Sequence, residues 1–176
     1  MRVPLFKDHP TFRPLPGVDT RRVLIVLAPT EADVPAVRSL GRRLRRLGVD
    51  AVATTECQGE VRGEHSEPLF PNLLLIEAAQ KNWDAVVVAG GSGALRVAED
   101  AFARQVIRAV SSAGKPIAAL GLGRIVLERA GIRGYLDEDP NALGRWLGKQ
   151  LGIPRPETEV HRPWRRRLTR RTIHLD

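Results

Sequence analysis

Thiols are almost absent from this chain of 176 residues: Cys57 is its single cysteine. One thiol excludes an internal disulfide framework and a multi-cysteine zinc site. A reducing cytoplasm is therefore the expected compartment. Long apolar runs are missing as well, and no stretch reaches the roughly 18 residues of a transmembrane helix, so no membrane span is expected. The opening segment, Met1 to Asp8, lacks the apolar core of a signal peptide. Neither an internal repeat nor a low-complexity stretch is evident. Lysine is scarce, with 4 against 24 arginines. That bias can follow genome composition or heat adaptation and does not by itself name a ligand.

What is present suits one domain with a sizeable core: 43% of the residues are hydrophobic. The net charge of +8 is concentrated at the ends. Residues 1–22 carry +3, residues 155–176 carry +4, and the segment 23–154 carries only +1. A nearly neutral body thus bears basic ends.

Residues 1–20 hold four prolines and show no period, so an irregular N-terminal arm is expected there. The run Val23 to Ala28 is continuously apolar and predicts a strand covered on both faces. Val34, Val37, Leu40, Leu44 and Leu47 recur at helical spacing over 33–47, and Gly48 predicts the helix end. Five arginines, Arg38, Arg42, Arg43, Arg45 and Arg46, lie largely off that stripe and read first as a solvated face. A strand is expected over 49–54, and a long polar excursion with a short hairpin over 56–72. A helix is predicted over Leu73 to Gln80 and a fully buried strand over Asp84 to Ala89. A helix around 100–112 should bury Phe102, Val106, Ile107 and Val110. Pro116 to Leu120 predicts a strand, and Arg124 to Ala130 a helix stopped by Gly131. Asp139-Pro140 predicts the start of a last helix with Leu143, Trp146, Leu147 and Leu151 on its apolar stripe. Strands that alternate with helices and are apolar throughout predict an α/β three-layer sandwich around a mostly parallel, flavodoxin-like sheet of five or six strands. The domain should span 21–152, followed by a basic C-terminal tail over 153–176.

The strongest chemical signal is strand, tight turn, helix at 116–130. Such an elbow lifts one residue above the carboxyl end of the sheet, where open α/β sheets bind ligands. Gly121-x-Gly123 is not a dinucleotide fingerprint, since the third glycine position is Val126. No cofactor is expected. Arg124, at the start of the following helix, suits a ligand carboxylate or phosphate, or a solvated ion pair. Ser92 lies in Gly90-Gly91-Ser92-Gly93 after a strand. It reads as part of a turn that aims backbone N–H groups at the elbow, with a serine nucleophile as the competing reading. A serine hydrolase would also need a histidine, and His161 and His174 lie in the tail. Cys57 has no basic neighbour in sequence and reads as an ordinary sheet-end thiol. The run Asp137-Glu138-Asp139 reads as a helix cap rather than a metal site, and no metal is expected.

Several segments together resemble the ThiJ/PfpI superfamily, which has a class I glutamine amidotransferase-like fold. They are Asp84 to Ala94 (DAVVVAGGSGA), Gly114 to Gly123 (GKPIAALGLG), Leu127 to Ile132 (LERAGI) and the loop Gly59 to His65 (GEVRGEH). The resemblance covers about residues 22–136. It implies a nucleophilic cysteine at the elbow, a histidine after it and an acidic partner after the first strand. On this chain those positions fall on Gly121, Leu122 and near Ala32, with Glu31 one place away. Gly121, Leu122 and Gly123 therefore form a degenerate elbow that offers no thiolate and no proton-transfer group. Glu31, Gly90, Gly91, Ser92 and Arg124 are the candidate pocket.

The leading expectation is a non-catalytic superfamily member, a binding or structural module with a residual anion-friendly pocket for a small anionic ligand. The resemblance also implies a homo-oligomer. One competing reading is a hydrolase, amidotransferase or glyoxalase-type enzyme that uses other residues. A second is a nucleic-acid-associated protein. In the tail, Trp164 beside Arg165, Arg166 and Arg167, followed by Arg170 and Arg171, suits either an oligomer interface or a polyanion.

Overall fold

A computed structural model describes residues 20–154. The N-terminal arm, up to residue 19, and the tail residues 155–176, with Trp164, Arg165, Arg166, Arg167, Arg170 and Arg171, lie outside the described residues. The elements run β1 (Arg22–Val26), β2 (Thr30–Ala32), α1 (Val34–Arg46), β3 (Asp50–Thr55), β4 (Val61–Gly63), β5 (Pro68–Leu69), β6 (Leu73–Leu74), α2 (Leu75–Ala78), β7 (Ala85–Val88), α3 (Ala94–Glu99), α4 (Ala101–Ser112), β8 (Ile117–Leu120), α5 (Arg124–Ala130), β9 (Tyr135–Asp137) and α6 (Pro140–Gln150). Six strands form the main sheet in the order β6-β3-β1-β7-β8-β9. Every neighbouring pair in it is parallel. A small sheet, β2-β4-β5, stands beside it, and its β4–β5 pair is the antiparallel hairpin expected in the polar excursion.

The apolar strands sort their side chains by parity, as a sheet buried on both faces must. Val23, Ile25 and Leu27 of the first strand run, with Ala85 and Val87 of β7 and Ala118 and Leu120 of β8, face a core that includes α1 and α6. Leu24, Val26, Val86, Val88 and Ala119 face the opposite core, which includes α2, α3, α4 and α5. Helix, sheet and helix thus make the three-layer α/β sandwich read from the sequence.

The helices follow from local chemistry. Asp33 caps α1, its Oδ1 accepting the Ala36 N–H at 3.0 Å. Val34, Val37, Leu40 and Leu44 are buried on one stripe, and Gly48 follows the helix at φ +76°. Asp139 caps α6 through the Asn141 N–H at 2.8 Å. Gly144 and Gly148 of α6 lie against Leu40 and Arg43 of α1 and Leu47 just after it, so the two helices pack closely.

Three sequence expectations change. The helix expected over 73–80 is a two-residue edge strand followed by the single turn α2. Asn72 pins this segment to β3, its Oδ1 accepting the Ala53 N–H and its N–H donating to the Ala53 carbonyl, each at 2.8 Å. Phe102 is exposed rather than buried. The buried stripe of α4 is Ala103, Val106, Ile107 and Val110, and Phe102 stands about a quarter turn from its centre. Three elements, β2, α3 and β9, were not foreseen.

Candidate functional site at the carboxyl end of the sheet

Parallel strands deliver their carboxyl ends to one side, so the loops after β1, β7 and β8 meet there. They are stitched by backbone bonds: Asp33 N–H to the Gly90 carbonyl at 3.0 Å and Gly93 N–H to the Glu31 carbonyl at 3.2 Å. Close approach requires glycine here. A Cβ on Gly91 would collide with the Glu31 carbonyl, and one on Gly123 would stand 2.5 Å from the Val88 carbonyl oxygen.

The elbow has the expected form. After β8, Gly121 turns at φ +47° and a 3₁₀ turn, Gly121–Gly123, feeds α5. A side chain at Gly121 would meet nothing within 4 Å, so the apex has room but presents no functional group. Leu122 is exposed, and Gly123 is buried beneath it. Ala32, where the resemblance places an acidic partner, is fully buried at 0% exposure. The thiol and the histidine implied by the resemblance are therefore missing at Gly121 and Leu122, and the implied acidic position falls near the buried Ala32, with the Glu31 carboxylate one place away.

Two adjoining clefts flank the apex. The inner one, of about 260 Å³, is lined by Asp33, Glu64, Gly90, Gly91, Gly121 and Glu138, with Leu120 and Leu122. The outer one, of about 350 Å³, is lined by Gly121, Leu122, Arg124, Leu136, Asp137 and Glu138. Of the candidate pocket residues, Gly90, Gly91 and Arg124 line a cleft. Glu31 and Ser92 instead engage each other, the Ser92 hydroxyl donating to Glu31 Oε2 at 3.3 Å. Glu31 holds φ +56°, a conformation a non-glycine residue adopts at a cost of about 1–3 kcal/mol. The Ser92 N–H donates to Glu64 Oε1 at 2.7 Å, so it is not left free toward the elbow.

Asp33, Glu64 and Glu138 were not assigned to the site from the sequence. The resemblance of the 59–65 loop carries a signal for Glu64, and the acidic run 137–139 carries one for Glu138, read there as a helix cap. Glu138 lines both clefts and Asp137 the outer one, so the charged lining is acidic apart from Arg124, the single cation, in the outer cleft. Asp137 is held below the ordinary carboxylate range, first by the Asp139 N–H and then by the Tyr135 hydroxyl. The same hydroxyl bond, at 2.9 Å, pushes Tyr135 up. Tyr135 also stacks on Trp146 with ring centroids 4.5 Å apart, which ties the outer cleft to α6. Cys57 is exposed, and its sulfur lies 3.9 Å from Glu56 Oε1, beside the Glu56–Arg96 ion pair. No group of three or more potential metal-ligating side chains occurs among the described residues. No helix among them is long and apolar enough to cross a membrane.

Comparison with known proteins places this architecture. A protein of Pyrococcus abyssi named a deglycase is 29% identical over 141 residues, covering 75% of this chain and 84% of the relative. The crystal structure of Drosophila melanogaster DJ-1beta superposes with a TM-score of 0.67 at 19% identity, covering 76% of this chain and 91% of that one. A DJ-1 superfamily protein from Salmonella typhimurium, crystallised as a cysteine-to-alanine mutant, is 28% identical with a TM-score of 0.58 and covers 64% of this chain and 62% of its own. The sequence pattern of the DJ-1/PfpI family matches residues 21–135. Six parallel strands, the elbow after β8 and this match together assign the chain to the DJ-1/PfpI family.

Proposed function

We propose that this chain is a DJ-1/PfpI family member without thiol catalysis at its elbow, acting as a binding or oligomeric module through the clefts around Gly121. The observation that carries the reading is the apex itself: an elbow backbone with open space and no side chain at Gly121, followed by the aliphatic Leu122. An aliphatic side chain moves no proton and glycine forms no covalent intermediate. A small ligand would find Arg124 for a carboxylate or phosphate in the outer cleft, beside Asp137 and Glu138, and only acids among the charged groups of the inner one. Self-association belongs to the same reading, and the exposed side chains Leu95, Phe102, Leu122 and Leu136 are its apolar candidates.

One observation favours a second reading. The Ser92 hydroxyl donates to the Glu31 carboxylate beside the elbow, and one relative is named a deglycase. That pair would serve an enzyme with a serine nucleophile and a carboxylate base. Turnover of 2-oxoaldehydes and of glycated amines separates the two readings. The expected result is no turnover above buffer, with Cys57→Ser and Ser92→Ala both silent. Turnover that Ser92→Ala abolishes would establish the serine enzyme instead.

A further inference from the structure

The main sheet ends in β9, and no described strand pairs with its outer side. Such an edge leaves a row of backbone N–H and C=O groups open to another strand, and edges are commonly blunted by lysine, proline or a bulge. β9 reads Tyr135-Leu136-Asp137, and its register with β8 runs without a bulge. Its middle residue does not suit a solvated edge. Leu136 is 50% exposed, the most exposed of the large apolar side chains among the described residues. Leu122, also exposed, lines the same outer cleft as Leu136. Side chains alternate along a strand, so Tyr135 lies on the other face of the sheet, where it stacks on Trp146. Both rings are only partly buried against the core. Charge flanks the strand in two blocks. Arg133 precedes it, exposed and in no ion pair among the described residues. Asp137 ends it, and Glu138 and Asp139 follow. Asp139 keeps one carboxylate oxygen for the α6 cap and holds its other 3.9 Å from Arg145.

We propose that β9 pairs antiparallel with β9 of a second copy of this chain, about a two-fold axis through Leu136, so that the two main sheets join into one. The proposal rests on the self-association in the reading above and names its surface. Charge and shape select the register. Centred on Leu136, it sets Leu136 against its own copy, Tyr135 against Asp137 of the partner subunit, and Arg133 against Asp139 of the partner subunit, each unlike pair occurring twice by symmetry. A slip of one residue turns Leu136 away from the shared face. Centring on Asp137 opposes two carboxylates, and centring on Tyr135 faces Leu136 with Gly134, which has no side chain to pack. Parallel pairing in register would set all three acids against themselves. The aromatic pair Tyr135 and Trp146 then flanks the joint on one face of the sheet, the kind of anchor on which protein interfaces centre. On the other face the two outer clefts meet across the axis, because Leu136 lines each. The pairing closes on itself, so it gives a dimer and no filament.

The test starts with sedimentation equilibrium of the full chain, where a dimer is expected at micromolar concentration. Leu136→Lys changes an exposed side chain, removes the apolar contact and sets two cations opposite each other. It should raise the dimer dissociation constant by at least about tenfold. Leu136→Cys in a Cys57→Ser background reads the register. Residues directly opposite in an antiparallel pair stand about 4.5–5.5 Å apart at Cα, within disulfide range. This variant should therefore oxidise to a covalent dimer at low micromolar concentration, and much faster than Leu95→Cys in the same background. Equal rates for the two thiols overturn the register. A chain that stays monomeric overturns the proposal and leaves the edge to another occupant. A dimer that Leu136→Lys leaves intact overturns it too, and moves self-association to a different surface while the rest of that reading stands. If Leu136→Lys fails to fold, a folded Leu136→Cys that does not cross-link overturns the pairing equally. Turnover abolished by Ser92→Ala would sink the non-catalytic reading and leave the dimer untouched.

Discussion

Gly121 stands where a side chain would have both room and strain. Its φ of +47° lies in the left-handed region, and no heavy atom comes within 4 Å of a built Cβ. The site therefore keeps the shape of a nucleophile elbow while losing the nucleophile. That separation is testable by putting the group back. Gly121→Cys with Leu122→His, made in a Cys57→Ser background, should fold at a cost of about 1–3 kcal/mol, the strain of a non-glycine residue there. The new thiol should react with iodoacetamide faster than Cys57 does in the unaltered chain. Turnover need not return, because the acid position falls near the fully buried Ala32 and the neighbouring Glu31 carboxylate is engaged by the Ser92 hydroxyl. A folded double variant whose thiol titrates like free cysteine, near roughly 8.5, would show that the apex does not activate a thiol.

At the scale of elements, close glycine contacts hold the strand ends together. Gly123 joins β8 and α5 to β7, and a Cβ there would press on the Val88 and Ala89 carbonyl oxygens at 2.5 and 2.8 Å. Backbone carbonyls cannot swing aside as a side-chain tip can. Gly123→Ala should therefore cost about 1–3 kcal/mol by overpacking, read as a lower urea midpoint with an unchanged slope. It should also lower the affinity of any ligand at the elbow, since the apex is displaced with it. The glycine runs that make these contacts were legible in the sequence, as were β1, α1, β7, β8, α5 and α6. All six carry either a continuous apolar run or a helical stripe with recognisable ends. What escaped the sequence had no period of its own. β2 and β9 are three-residue strands set by their partners, β4 and β8, rather than by propensity. Phe102 was misread because one bulky residue at a helix start outweighed the true stripe beginning at Ala103. Asp33, Glu64 and Glu138 come from three separate loops, and only the parallel sheet brings those loops together around Gly121.

At the scale of the whole molecule, the carboxyl end of the sheet and the helices beside it differ in charge. Its carboxyl end gathers Asp33, Glu64, Asp137 and Glu138 around the clefts, while α1 carries its arginines and no acid. The same parallel arrangement that assembles the clefts also carries α1 and α6 away from them side by side. Whether the two helical layers stay in place together depends on the sheet holding both as one cooperative unit. Leu40 is fully buried in the core beneath α1, and Ile107 is fully buried in the core on the opposite face of the sheet. Leu40→Ala and Ile107→Ala should each cost about 2–5 kcal/mol through lost burial and the cavity left behind. They share no core, so the double variant should lose the sum of the two within about 0.5 kcal/mol. Urea unfolding followed by tryptophan fluorescence and by far-ultraviolet circular dichroism should give coincident single transitions for all three variants. With Trp164→Phe as the common background, Trp83 reports the Ile107 side and Trp146 the Leu40 side, so a separate melting of either layer would part the fluorescence transition from the circular dichroism one. A split in Leu40→Ala alone would mean that α1 and α6 detach as their own unit. The arginines of α1 would then stand on a mobile layer rather than on a fixed surface of the fold.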